Sequence, residues 1–119
     1  MRWMIRGLNV RVSDAIAVYA RRKLFEPLRR FGRHINHVSV RLEDREPGRF
    51  PMPRCASVVV TLHDGAVIRL KQEDRTFYAA VDRLENRIRE AVGRRLGRHR
   101  ATRRRQAARS QGAAAWAAL

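Results

Sequence analysis

Phe77, Val81, Leu84, Ile88, Val92 and Leu96 recur at helical spacing and form one apolar stripe. Arg83, Arg87, Arg94 and Arg98 recur on another face of the same helix. No acidic residue follows Glu90, whereas Arg94, Arg95, Arg98, Arg100, Arg103, Arg104, Arg105 and Arg109 do. A helix anchored by one face that offers guanidinium groups on another is built to lie against a polyanion. Arginine suits that role because its planar fork meets phosphate oxygens in pairs.

The rest of the chain supplies what such a helix packs on. Trp3 and Ile5 alternate with Arg2, Met4 and Arg6, which predicts a short first strand, with Gly7 to Val12 as a connection. Ser13 is a good N-cap, and Asp14 suits the positive end of a helix dipole. Ile16, Tyr19, Ala20 and Leu24 make the inner stripe of a first helix, with Arg21, Arg22 and Lys23 outside it. Pro27 removes a helical hydrogen bond, so the first helix is expected to end near Phe25, with a short turn through Leu28 to Phe31. Val38, Val40 and Leu42 alternate with Ser39 and Arg41 as a second strand. Pro47, Gly48, Pro51 and Pro53 mark Glu43 to Arg54 as a loop. Ala56, Val58, Val60 and Leu62 form one face of a third strand, and Ala66 to Gln72 a fourth.

Two registers are open to the hairpin at His63-Asp64-Gly65. A two-residue loop would set Val60 opposite Arg69, mixing core with charge. A three-residue loop with Gly65 left-handed pairs Leu62 with Ala66, Val60 with Ile68 and Val58 with Leu70. Only the second buries one consistent face, so it is preferred. The second helix is capped within Asp74 to Thr76 and expected to end at Gly97 or Arg98. The basic, alanine-rich stretch beyond it lacks a clear apolar face and is expected to be flexible when free. The fold class is therefore α/β (α+β), a two-layer sandwich in the order β-α-β-β-β-α. Its four-stranded mixed sheet carries both helices on one face and shows Arg41, Ser57, Thr61, Arg69 and Lys71 on the other. Residues 1–98 are the folded domain and residues 99–119 a basic tail.

The chain has 119 residues, with 27 Lys+Arg against 11 Asp+Glu and a formal net charge of +16. Solubility alone needs a charge magnitude of only about 2–8. Such a surplus repels itself unless a polyanionic partner relieves it. No apolar run approaches the ~20 residues that span a bilayer, and the charged N-terminus lacks a signal peptide's apolar centre. Cys55 is alone, which excludes a disulfide framework and fits the cytoplasm. His34, His37, His63 and His99 do not combine with other ligands at metal spacing, and no glycine-rich phosphate loop is present. Cys55 reads as a packed thiol. No cofactor, no small-molecule substrate, no membrane partner and no enzymatic activity is expected. Asp82, Glu85 and Glu90 balance part of the second helix and are expected to pair with Arg89 and Arg94. Signals for base readout are missing, so recognition of structured RNA through its backbone is the natural inference.

Several pieces resemble one family in their order and spacing. They are Ile5-Arg6-Gly7, Val12-Ser13-Asp14-Ala15-Ile16, Arg22-Lys23-Leu24, Arg33-His34-Ile35-Asn36-His37-Val38 and, above all, Tyr78-Ala79-Ala80-Val81-Asp82. Met1 to about Arg98 resembles the ribosome hibernation promoting factor and ribosome-associated inhibitor family, also called sigma-54 modulation proteins. The resemblance implies a cytoplasmic factor that binds the small ribosomal subunit near its decoding region. There it blocks messenger and transfer RNA and silences idle ribosomes under stress or in stationary phase. By that resemblance Lys23, Arg87 and Arg94 stand at RNA-facing positions. Arg22 and Arg83 join them on charge and helical phase, and Arg95 and Arg98 extend the basic helix. The family's long forms carry a second domain that pairs ribosomes; no such ribosome-pairing domain is expected here. Two alternatives stand beside this reading. One is a general RNA- or DNA-binding protein acting through the arginine-rich tail. The other is an adaptor that docks an acidic protein on the open sheet face.

Overall fold

The computed structural model describes residues 1–44 and 53–118, with side chains over 1–44, 53–97 and 104–109. The elements are β1 (Arg2–Leu8), α1 (Asp14–Arg29), a single 3-10 turn (Gly32–His34), β2 (Ile35–Asp44), β3 (Arg54–Leu62), β4 (Val67–Asp74) and α2 (Phe77–Ala118). The sheet has the order β1-β2-β3-β4, with β1 parallel to β2 and the other neighbours antiparallel. This is the expected mixed four-stranded sheet.

Strand alternation decides which face is buried. Val38, Val40 and Leu42 of β2 and Ala56, Val58, Val60 and Leu62 of β3 are inaccessible or nearly so. They meet Ile16, Ala20, Leu24 and Leu28 of α1 and Val81, Leu84, Ile88, Val92 and Leu96 of α2 in one core. The hairpin adopts the three-residue register. Val60 pairs with Ile68 and Val58 with Leu70, Leu62 N–H donates to the Ala66 carbonyl at 2.8 Å, and Gly65 has φ +90°. A different need governs Gly7, where a Cβ would lie 2.3 Å from the Val10 carbonyl oxygen as the chain folds back after β1. Asn9, at φ 58°, makes that reversal.

Ser13 caps α1 as expected, its Oγ accepting from Ile16 N–H at 3.3 Å. The expected stop near Phe25 is not observed, because α1 continues through Pro27 to Arg29. A proline inside a helix costs about 3 kcal/mol. Burying Leu28, which is inaccessible, and Pro27 beside it offsets that loss. The connection expected from Gly7 and the loop expected from Glu43 to Arg54 are shorter than predicted. β1 reaches Leu8, β2 includes Glu43 and Asp44, and β3 begins at Arg54; Pro47, Gly48 and Pro51 lie outside the described residues. β4 extends past Gln72 to Asp74.

Thr76 caps α2, its Oγ1 accepting from Ala79 N–H at 3.1 Å. The helix does not end at Gly97 or Arg98 but runs to Ala118. The segment beyond Arg98 has no proline and is rich in Ala, Arg and Gln, all strong helix formers, so backbone propensity carries the helix where no apolar face does. Leu96 is the last core residue of α2, and the division at residue 98 falls within a continuous helix.

Two substitutions test this core. Ile88→Ala should lower unfolding free energy by about 2–5 kcal/mol in urea titration. Gly65→Ala should cost about 1–2 kcal/mol through backbone strain alone, since nothing lies within 4 Å of its added methyl. A neutral Gly65→Ala would contradict the left-handed turn.

Candidate nucleic-acid interface

The two helices run in the same direction, which their contacts show. Tyr19 meets Tyr78 and Asp82, and one turn later Lys23 meets Asp82 and Glu85. Partners advance together along both helices, so their N-termini open at one end of the molecule and α2 outruns α1 at the other. The Tyr19 and Tyr78 rings meet edge-on, with centroids 4.8 Å apart at 66°. Tyr19 O–H donates to Asp82 Oδ1. Lys23 Nζ sits 4.0 Å from the same oxygen, 3.7 Å from Glu85 Oε2 and 5.7 Å from the Tyr19 ring centre. Arg89 reaches Glu85 Oε1 at 3.5 Å along α2. Asp82 thus ties the helices together across their seam. A single sequence carries no signal for such a cross-helix bond.

The cations predicted to face RNA divide into two groups. Lys23, Arg83 and Arg87 already have local partners. Lys23 faces two carboxylates, and Arg83 Nε lies 2.9 Å from Asp74 Oδ2. Arg87 Nη1 donates to the Lys71 carbonyl at 2.6 Å and to Gln72 Oε1 at 3.1 Å, covering part of the edge strand β4. Arg22, Arg94 and Arg95 are exposed and form no ion pair among the described residues. Glu85 pairs with Arg89 as expected, whereas a Glu90–Arg94 pair does not occur among them. The side chain of Arg98 lies outside the described residues.

Arg22 lies on the solvent face of α1 beside Arg21, Val18 and Phe25, around a shallow recess of about 410 Å³. Arg83, Arg87 and Arg94 follow one another at helical spacing along the flank of α2 above β4, away from α1. The structure therefore brings Lys23 into the inter-helix seam and sets the other cations on either side of it. Three arginines passed over by sequence reasoning, Arg11, Arg54 and Arg75, line a second recess of about 390 Å³ with Ser13, Thr76, Phe77 and Tyr78 at the paired helix starts. Arg11 and Arg75 each stand within two residues of a helix cap, which is the signal that could have found them.

Among the described residues no three His, Cys, Asp or Glu side chains come together to hold a metal. Cys55 is fully buried, with Ser57 Oγ 4.0 Å from its sulfur. No described helix is long and apolar enough to cross a membrane.

Residues 4–100 match the family described as Sigma 54 modulation protein / S30EA ribosomal protein. The chain is also similar to a solved structure of the Protein Y N-terminal domain from Thermus thermophilus. The two are 29% identical with a TM-score of 0.62, covering 79% of this chain and 98% of that one. It shares its fold with a ribosomal subunit interface protein from Coxiella burnetii, at 19% identity and TM-score 0.68, covering 82% and 99% of the two chains. No curated protein matches it in sequence comparison.

The seam carries a titration signature. The hydrogen bond to Asp82, partial burial and the charges of Asp82 and Glu85 push the Tyr19 phenol up to about 12. Tyr19 therefore holds its proton more tightly folded than unfolded. Its contribution is whole below pH ~10, where free tyrosine titrates, and is lost as pH rises through about 12. In a Tyr78→Phe background, ultraviolet titration should show the remaining tyrosine ionising near 12. Asp82→Asn should bring it back toward ~10. An unshifted midpoint in the Tyr78→Phe chain would contradict the bond.

Proposed function

The chain belongs to the Sigma 54 modulation protein / S30EA ribosomal protein family, and on that premise we propose that it is a non-enzymatic, cytoplasmic ribosome-binding factor. It docks its two basic helices on small-subunit ribosomal RNA near the decoding region. It thereby blocks messenger and transfer RNA and silences idle ribosomes under stress or in stationary phase. The observation that carries this reading is the agreement between the family match, residues 4–100, and the folded core, which ends at Leu96 beside the exposed Arg94 and Arg95. Backbone contacts of this kind fix a protein's position on RNA without reading bases.

The proposed contacts differ in strength. Arg22, Arg94 and Arg95 offer guanidinium groups with no ion pair among the described residues and supply most of the attraction. Lys23, Arg83 and Arg87 meet phosphate only by sharing or leaving Asp82, Glu85, Asp74 and the β4 backbone. Arg98 continues the row in sequence. The exposed Arg104, Arg105 and Arg109 of the helical extension favour one alternative, a general polyanion binder acting through residues 99–118.

Co-sedimentation with purified small subunits over a salt series, with excess duplex DNA as competitor, separates the two. The ribosome reading predicts saturable binding, one chain per subunit, that survives the competitor and a truncation after residue 98. Loss of binding to competitor or to truncation would contradict it. Arg94→Gln and Arg95→Gln should each lower the salt slope by about one. Lys23→Gln should lower it by less, since two carboxylates already counter that charge.

A further inference from the structure

The sheet face opposite the helices is covered by no described element. Its residues stand in rows fixed by strand register. Arg6 pairs with Arg41, Arg41 with Ser57, and Ser57 with Lys71, so one row crosses all four strands. The next row is Met4, Ser39, Val59 and Arg69, and the one after it is Arg2, His37, Thr61 and Val67. Neighbouring strands lie about 4.8 Å apart. Five cations are thus held on one surface, whose centre is made of Ser39, Ser57 and Val59, with the exposed Met4 and Val67 on its edge strands. Arg6, Arg41 and Arg69 surround Ser39, Ser57 and Val59 in a recess of about 240 Å³.

Among the described residues, the acids on this face gather at one end. Arg41 lies 3.8 Å from Glu43, and Glu43 and Glu73 flank Cys55 in the row beyond the recess. Arg2, Arg69 and Lys71 form no side-chain ion pair among the described residues. This differs from the helix seam, where Lys23 is countered twice.

We propose that this open sheet face is a second RNA-binding surface, taking a phosphate backbone into the Arg6–Arg41–Arg69 recess, so that one chain bridges two RNA segments, one on each side. Charge complementarity selects the partner. Guanidinium forks bind phosphate oxygens in pairs, and serine hydroxyls between them donate further hydrogen bonds. A protein partner would call for an apolar, aromatic centre poor in charge. The centre of this face holds Ser39, Ser57 and the half-buried Val59, with no aromatic ring. The inference takes only the class of partner, RNA, from the ribosome reading, and its surface is independent of the helices.

The test titrates the full chain with a short blunt RNA duplex across a salt series and reads complex mass by sedimentation at duplex excess. The parent should bind two duplexes. Arg6→Thr/Arg41→Thr/Arg69→Thr should bind one, with the salt slope lowered by about three, one for each lost contact. Threonine preserves strand propensity, and a circular dichroism melt checks folding; if the triple variant unfolds, Arg69→Thr alone should lower the slope by about one. Unchanged stoichiometry and slope in the folded variants would overturn the proposal. So would polyglutamate of equal charge competing more strongly than duplex, which would assign the face to an acidic protein. A parallel Arg22→Gln/Arg94→Gln/Arg95→Gln chain separates the two surfaces. The proposal predicts that each variant loses one duplex; loss confined to the helix variant would overturn the sheet surface, and loss confined to the sheet variant would overturn docking through the helices and with it the bridge.

Discussion

Two parallel helices must share the single apolar face of one four-stranded sheet, and everything else in the molecule is arranged around that burial. Alternation in β2 and β3 sends Val38, Val40, Leu42, Val58 and Val60 to one side. Both helices pack there, and each buries one stripe. With the interior committed to aliphatic side chains, the large excess of arginine is excluded to the helix surfaces and to the opposite sheet face. The fold thereby turns a compositional surplus into two oriented basic surfaces, one on each side of a thin sandwich.

Those surfaces are not equivalent. On the helix side, Asp82 and Glu85 of α2 engage Tyr19 and Lys23 of α1, which ties the two helices in register, while Arg89 pairs with Glu85 along α2. The Asp that closes the Tyr78-Ala79-Ala80-Val81-Asp82 run therefore has a structural task, and Lys23 beside it is a partly neutralised cation. Among the described residues, charge without an ion-pair partner lies farther out, at Arg22, Arg94 and Arg95. The sheet side holds its cations on strands, whose spacing the hydrogen-bond ladder sets, with acids confined to one end.

Much of the fold was legible because its periodicities are clean. The alternation around Asp64-Gly65 decided the hairpin register, since only one pairing keeps Val58, Val60 and Leu62 opposite apolar partners. Ser13 announced the first helix start, and the second was bracketed within Asp74 to Thr76, of which Thr76 is the cap. The sequence was silent wherever two local rules conflict. At Pro27 a helix-breaking ring competes with the burial of Leu28, and tertiary packing decides. Beyond Arg98 an absent apolar face competes with strong helix propensity, and propensity decides. The site was less legible than the fold. Positions of the cations follow from helical phase, but their neutralisation at Lys23, Arg83 and Arg87 depends on contacts between elements far apart in the chain.

Docking of basic helices on the small subunit, at the expense of messenger and transfer RNA, is the central claim. Its most direct test is binding of labelled transfer RNA to messenger-programmed small subunits as the protein is added. The account predicts that transfer RNA is released in step with protein bound, completely, at one chain per subunit. A stable complex holding protein and transfer RNA together on the same subunit would contradict it.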